Sequence, residues 1–113
     1  MYNYLNRETE QKEGYALTHN IPDRVFKDIT AFADANAINK IILFGSRARG
    51  THTERSDIDI AVSGGNIDAF YWDIKEKVHS LLTFDVIDLD KGINDELKKE
   101  IEKDGVVIYE KNR

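Results

Sequence analysis

Cysteine is missing from this 113-residue chain, and proline, methionine and tryptophan occur only once each. Without cysteine, a disulfide framework and a thiolate metal site are both excluded. Long hydrophobic runs are missing too, and the opening MYNYLNRETEQKEG contains no apolar stretch suited to a secretion signal or a membrane span. We therefore expect a soluble, cytoplasmic protein that does not contact a membrane.

An excess of positive charge is also missing. The chain has 16 Lys and Arg against 21 Asp and Glu, which gives a formal net charge of -5 at pH 7. Nonspecific nucleic-acid binding relies on basic side chains that neutralise phosphates. We therefore expect no direct contact with nucleic acid, whereas a small anionic substrate held by a local basic group is compatible with this charge.

The length is that of one domain with a single core, and it leaves no room for a separate substrate-binding lobe. Residues 1–20 are predicted to form a polar N-terminal arm, because they lack an apolar period, and residues 21–113 to form the domain. The arm is expected to be a loose terminus, and contact of its tyrosines with a partner is the alternative. A large acceptor would have to be held partly by another chain, and a homo-oligomer is left open.

Apolar periodicity predicts the order helix, strand, strand, helix, strand, helix, strand. The helices are expected from Pro22 to about Asn36, from a cap at Asn66 through Leu82, and from a cap at Asn94 to Gly105, and the strands at 40–44, 57–62, 84–89 and 106–109. The link between the first two strands is too short for an ordinary parallel crossover helix. The fold class is therefore α/β (α+β), a small mixed sheet with helices packed mainly on one face.

Two carboxylates lie two residues apart on the second predicted strand. Asp57 and Asp59 alternate with apolar residues, so both point to the same face with Cα atoms roughly 6.5 Å apart. Such a pair can reach one divalent ion or bridge two, and paired metal ions suit nucleotidyl transfer. Asp85, early in the third strand, is the predicted third carboxylate, in preference to Asp88, which faces the other way.

A glycine turn precedes this acidic strand. Gly45 allows the backbone to approach a phosphate, and Ser46 offers a hydroxyl and a backbone donor. We predict that Arg47 contacts the phosphates and that Arg49 holds the loop, since side chains two apart do not form a single clamp on a helix. Either half of the pattern alone is weak, but Gly-Ser followed after ten residues by Asp-x-Asp is specific.

The segment GSRARGTHTERSDIDIAV resembles the signature of the minimal nucleotidyltransferases, small members of the DNA polymerase β-like superfamily. The resemblance extends over most of the chain, from Pro22 through the later segments DVIDLD and GVVIYE. It implies a nucleotidyltransferase fold in which three aspartates bind Mg²⁺, as two ions, and the glycine turn holds the triphosphate of ATP. The carboxylates so implied are Asp57, Asp59 and Asp85, and the triphosphate-binding residues are Gly45, Ser46 and Arg47.

Small proteins of this family are commonly encoded beside a HEPN-domain partner. The resemblance therefore implies an antitoxin that transfers AMP onto a tyrosine of a HEPN toxin. Two alternatives stay open: a non-catalytic nucleotide-binding subunit that neutralises the toxin by forming a complex, and a transferase acting on a small molecule.

Two further residues are assigned no role in the site. His52, in the loop before the acidic pair, is expected to be a solvated loop histidine. Trp72 is expected to be partly buried in the core, because it neighbours the apolar stripe of the long second helix.

Overall fold

The chain folds as a mixed α/β domain in a computed structural model that describes residues 20–78 and 80–111. The helices are α1 (Asp23–Ala35), α2 (Ser46–Arg49), α3 (Ile67–Lys77) and α4 (Asp95–Asp104), and a 3₁₀ turn spans Leu89–Lys91. The strands are β1 (Lys40–Phe44), β2 (Ile58–Ser63), β3 (Phe84–Asp88) and β4 (Val106–Glu110). The predicted polar arm, apart from Asn20, lies outside the described residues. No helix within the described ranges has the length and hydropathy of a membrane span.

The four strands form one mixed sheet in the order β3-β2-β1-β4. β1 is antiparallel to both β2 and β4, whereas β2 and β3 are parallel. Helix α3 connects this parallel pair, as the longer connection between parallel strands requires. The predicted mixed sheet is therefore confirmed.

Strands β1, β2 and β3 divide their side chains between two apolar clusters. The larger cluster lies between the sheet and helices α1 and α3, and its strand members include Ile41, Leu43, Ile58, Ile60 and Val62. The smaller cluster lies on the opposite face under α4 and contains Phe44, Ala61 and Ile101. Two larger helices thus cover one face, as predicted, and α4 covers part of the other. Because side chains alternate along β2, Asp59 shares the α4 face with Ala61.

Asparagine side chains begin two of the helices, as the sequence predicts. Asn66 accepts a hydrogen bond from the Ala69 N–H at 3.1 Å, and Asn94 accepts one from the Leu97 N–H at 2.8 Å. Each bond satisfies a backbone donor that the first helical turn leaves without an intrahelical acceptor.

The predicted length of α3 and the predicted burial of Trp72 are wrong. The helix ends at Lys77 because Val78 adopts an extended backbone, and Leu81 beyond it is fully exposed. Trp72 is 58% exposed, since it lies about 200° around the helix from the buried Phe70 and therefore faces solvent. Among the described residues, its ring makes one aromatic contact, a T-shaped one with the neighbouring Tyr71.

Candidate active site

The three predicted aspartates meet on the α4 face of the β2–β3 pair. Asp59 and Asp85 are direct Cα partners in the parallel register. Asp57 precedes β2 by one residue, and its carboxylate accepts a hydrogen bond from the Thr83 hydroxyl just before β3. Asp88 instead accepts from the Asp90 N–H at 2.9 Å and begins the 3₁₀ turn. Asp85 is thus the third-strand aspartate beside the acidic pair.

The neighbouring acids make Asp59 harder to ionise. The pKa of Asp59 is raised to about 6, first by burial and then by the negative charges of Asp85, Asp57 and Glu100. The positive charge of Arg49 opposes this rise. Bringing a cation to this point would relieve the repulsion, because an opposite charge favours the ionised carboxylate.

The donor set suits a hard cation that completes its shell with other ligands. Within residues 20–78 and 80–111, no group of three or more His, Asp or Glu side chains could hold a metal ion unaided. Magnesium usually takes one or two carboxylates together with water and substrate phosphates, and it does not need an all-protein cage. Oxygen ligands on two adjacent strands therefore fit Mg²⁺ bound together with a triphosphate.

Gly45 joins the glycine turn to the carboxylates. Its backbone has φ +75°, a left-handed value that favours glycine, and a Cβ built there would collide with Oδ2 of Asp59. Its carbonyl accepts the N–H groups of Ala48 and Arg49, both at 3.1 Å, and so begins α2. Ser46 follows as the first residue of the helix and is half-buried. The two halves of the sequence motif are therefore in direct contact.

Arg47 organises the loop that connects α2 with β2. The residue is only 3% exposed, and its guanidinium donates to the carbonyls of Asn20 at 2.7 Å and Ser56 at 3.0 Å. Its remaining terminal nitrogen donates to the carbonyls of Thr53 and Glu54 at 3.3 and 3.2 Å. Burial lowers the pKa of Arg47. With its donors directed at four carbonyls, Arg47 has the loop-holding position that the sequence interpretation gave to Arg49.

Arg49 lies on the other side of the turn. It ends α2, and its Nη1 lies 3.2 Å from Oδ2 of Asp104. The side chain is 44% exposed, so part of the guanidinium is open to solvent beside the carboxylates. Of the two arginines, Arg49 is therefore the one placed to meet an anion.

His52 departs from the sequence expectation. It is half-buried rather than solvated, and its Nδ1 is buried without a hydrogen-bond partner among the described residues. This burial could not be read from the sequence, because His52 lies in an irregular loop with no periodic pattern.

Two acidic residues of α4 were missed. Glu100 lies near enough to Asp59 to raise its pKa, and Asp104 pairs with Arg49. The sequence analysis assigned neither of them to the site. Residues four apart lie on the same side of a helix, so the spacing of Glu100 and Asp104 could have indicated that both face the same surroundings.

Comparison with known proteins agrees with this geometry. Residues 27–113 match the family described as polymerase beta, nucleotidyltransferase, and the chain belongs to that family. A relative from Methanocaldococcus jannaschii, provisionally named a protein adenylyltransferase, is 70% identical over 27 residues. That alignment spans 24% of this chain and 27% of the relative.

Three solved structures of toxin–antitoxin systems share the fold. One, described as a toxin–antitoxin with AMP-PNP, is 27% identical with a TM-score of 0.58, over 77% of this chain and 74% of its own. The second is a MntA-HpeT mutant with two Asp-to-Glu substitutions, 25% identical with a TM-score of 0.57 over the same shares. The third is a MntA-HpeT mutant with a Tyr-to-Ala substitution, 28% identical with a TM-score of 0.55 over 76% of this chain and 72% of its own.

Proposed function

We propose that this protein is a Mg²⁺-dependent nucleotidyltransferase that moves AMP from ATP to a hydroxyl group, and that it acts in the cytoplasm as an antitoxin. The acceptor is a tyrosine of a HEPN-domain toxin. One observation carries the proposal: Asp59 and Asp85 lie opposite each other on parallel strands, with Asp57 beside them and Gly45 packed against the Asp59 carboxylate.

The triphosphate would lie against the turn at Gly45. The missing Cβ lets phosphate oxygens approach the backbone, and Ser46 offers its hydroxyl and N–H. We assign Arg49 to the phosphates in place of Arg47, whose donors already serve the loop carbonyls. Arg47 supports the site indirectly, by fixing the chain that leads into β2.

Asp57, Asp59 and Asp85 would hold Mg²⁺ together with the phosphates, so that the protein supplies only part of the ligand shell. Bound there, the metal offsets the charge that develops on the α-phosphate and on the leaving pyrophosphate.

The transfer breaks a phosphoanhydride bond of ATP and forms a phosphate ester bond to the acceptor. The acceptor oxygen attacks the α-phosphorus in line, the bond from that phosphorus to the bridging oxygen of the β-phosphate breaks, and pyrophosphate leaves. Asp85 takes the acceptor's proton. Its side chain is exposed on an edge strand of the sheet, so an incoming hydroxyl can reach it from outside the domain.

The partner assignment is supported by the three structural neighbours, whose descriptions name a toxin–antitoxin system. One of them was solved with AMP-PNP, an ATP analogue, and another carries a tyrosine substitution. We assign the acceptor to a second protein because the described residues form the nucleotidyltransferase domain and no separate acceptor lobe.

The test is a transfer assay with purified components. The protein is incubated with Mg²⁺, ATP labelled in the α-phosphate, and the HEPN protein encoded beside it, and the partner is then examined by intact mass. We expect label on the partner and a mass increase of one AMP, abolished in Asp57→Ala. Transfer by Asp57→Ala at the wild-type rate would show that the acid cluster is not the catalytic centre.

The same assay separates the alternatives. Co-elution of the two proteins without label would identify a non-catalytic antitoxin that acts by forming a complex. Label on a small acceptor, with none on the partner, would identify a small-molecule transferase. Asp88→Asn is the matched control, because this carboxylate faces away from the cluster and Asn can still begin the 3₁₀ turn.

A further inference from the structure

The last residue of α4 is an acid in a place that local helix chemistry disfavours. The carboxyl end of a helix carries partial negative charge and prefers cations, yet Asp104 occupies the final position of α4. Its side chain is only 16% exposed, so water compensates its charge incompletely. Such a conflict between local preference and sequence is expected at functional positions.

The compensating charge comes from the candidate active site. Nη1 of Arg49 lies 3.2 Å from Oδ2 of Asp104, across 55 residues of sequence. The two residues end different helices, since Arg49 closes α2 directly after the Gly45 turn. The contact therefore connects the phosphate turn with the helix that covers the same face of the sheet.

Asp104 is held in a fixed position by its surroundings. The Gly105 N–H donates to the Ile101 carbonyl at 2.7 Å and closes the helix, while Ile101 is buried against the sheet. A Cβ at Gly105 would collide with that carbonyl and lie 2.8 Å from Cγ2 of Ile42. The end of α4 is thus packed directly on β1, and the carboxylate of Asp104 is anchored by the core.

Arg49 has a competing partner on its other side. Its charge acts on Asp59, the carboxylate that lies against Gly45. Without Asp104, the guanidinium would be left with the carboxylates around Asp59, among them Asp57, Asp85 and Glu100. An arginine paired with them would occupy the place of the cation.

We propose that Asp104 is a positioning residue, which holds the Arg49 guanidinium beside the phosphate turn and away from Asp59. Arg49 then presents its open edge to the triphosphate, and the aspartates stay free for Mg²⁺. This inference rests on the proposed function, because it assigns Arg49 a triphosphate ligand. It adds a role for α4 beyond covering the sheet and placing Glu100 near Asp59.

The test is a double-mutant cycle on nucleotide affinity. Binding of AMP-PNP with Mg²⁺ is measured by calorimetry for wild type, Asp104→Asn, Arg49→Gln and the double variant. We expect Asp104→Asn alone to weaken binding by about three- to tenfold, the size expected for a charge-assisted contact, and to have no further effect once Arg49 is Gln. Asp104→Glu, which keeps the carboxylate, should retain most of the affinity.

A purely structural role predicts a different pattern. In that case Asp104→Asn would lower the thermal midpoint of unfolding. It would also weaken binding equally whether residue 49 is Arg or has been changed to Gln. Positioning predicts an unchanged or higher midpoint, because the substitution removes an acid from a helix carboxyl end. Tighter nucleotide binding by Asp104→Asn would also overturn the inference, since it would mean that Asp104 competes with the phosphates.

A nucleotide-free measurement separates this inference from the proposed function. The side-chain Nε–H resonance of Arg49 is recorded by NMR in wild type and in Asp104→Asn. We expect it to shift, because the guanidinium changes its partner, and an unmoved resonance would overturn the inference. If wild type failed to bind AMP-PNP while the resonance shifted, the proposed function alone would fail.

Discussion

Asp59→Asn should stabilise the metal-free protein at neutral pH. The folded-state pKa of Asp59 is about 6, against a usual value of 3.8. The folded protein therefore binds this proton more tightly than the unfolded chain does, and ionised Asp59 opposes folding. The penalty is absent below about pH 4, grows between about pH 4 and 6, and is constant above that range. Asparagine removes the charge and with it the penalty.

The expected gain in unfolding free energy follows from the pKa difference, reduced for screening by solvent. The interval from 3.8 to about 6 corresponds to about 3 kcal/mol, at about 1.4 kcal/mol for each pKa unit. Asp59 is only partly buried, so water screens much of this repulsion. We expect a net gain of about 1 kcal/mol in the free energy of unfolding, or roughly 4–8 °C in the thermal midpoint for a domain of this size.

Urea unfolding at pH 7.5 and at pH 4, both with EDTA, measures the effect. The gain should be present at pH 7.5 and largely lost at pH 4. The control is Glu76→Gln, which removes an equal charge from an exposed position on α3, across the sheet from the carboxylates, and should change stability by less than about 0.5 kcal/mol. Adding Mg²⁺ should reduce the stability difference between the variant and wild type, because the cation offsets the negative charge of wild-type Asp59. An equal difference at both pH values, or a less stable variant at pH 7.5, would refute the reasoning.

Three other predictions concern the turn, the loop and the third strand. Gly45→Ala should lose nucleotide binding and destabilise the protein more than Gly50→Ala, as measured by calorimetry and urea unfolding; both positions have positive φ, but a Cβ at Gly50 meets no atom within 4 Å. Arg47→Lys should cost about 2–4 kcal/mol of unfolding free energy, because one ammonium cannot serve four carbonyls, and a smaller loss than about 1 kcal/mol would contradict the loop-holding role. Asp85→Asn should slow AMP transfer by about 10²-fold or more, well beyond any loss of AMP-PNP affinity, while Asp88→Asn transfers at the wild-type rate; equal slowing of both would exclude Asp85 as the proton acceptor.

The periodic parts of the fold could be predicted from the sequence, because the polarity of each residue there indicates whether it faces the core or the surface. The alternation of Asp57, Asp59 and their apolar neighbours predicted both the strand and the face of its acids. The same argument placed Asp85 on the third strand, and the parallel register sets it opposite Asp59. The helix caps at Asn66 and Asn94 could also be predicted, because each side chain accepts a hydrogen bond from a backbone N–H only three residues ahead.

The roles of the two arginines could not be predicted, because they depend on chain segments distant in sequence. Arg47 is fixed by carbonyls from the α2–β2 loop and from Asn20, and these groups converge only after folding. Arg49 is fixed by Asp104, 55 residues away. The exposure of Trp72 was missed for a related reason: proximity in sequence to apolar residues does not give the direction of a side chain around a helix.

The parallel pairing of β2 with β3 has a consequence for how the site forms during folding. The carboxylates of Asp59 and Asp85 come together only after α3 has crossed the sheet and docked, which closes a loop over the 25 residues between them, 60–84. Contacts between distant segments form late, because the entropy of the intervening chain is lost first. The three aspartates are therefore brought together near the end of folding. A fragment lacking the third strand would contain the glycine turn and Asp59 without Asp85.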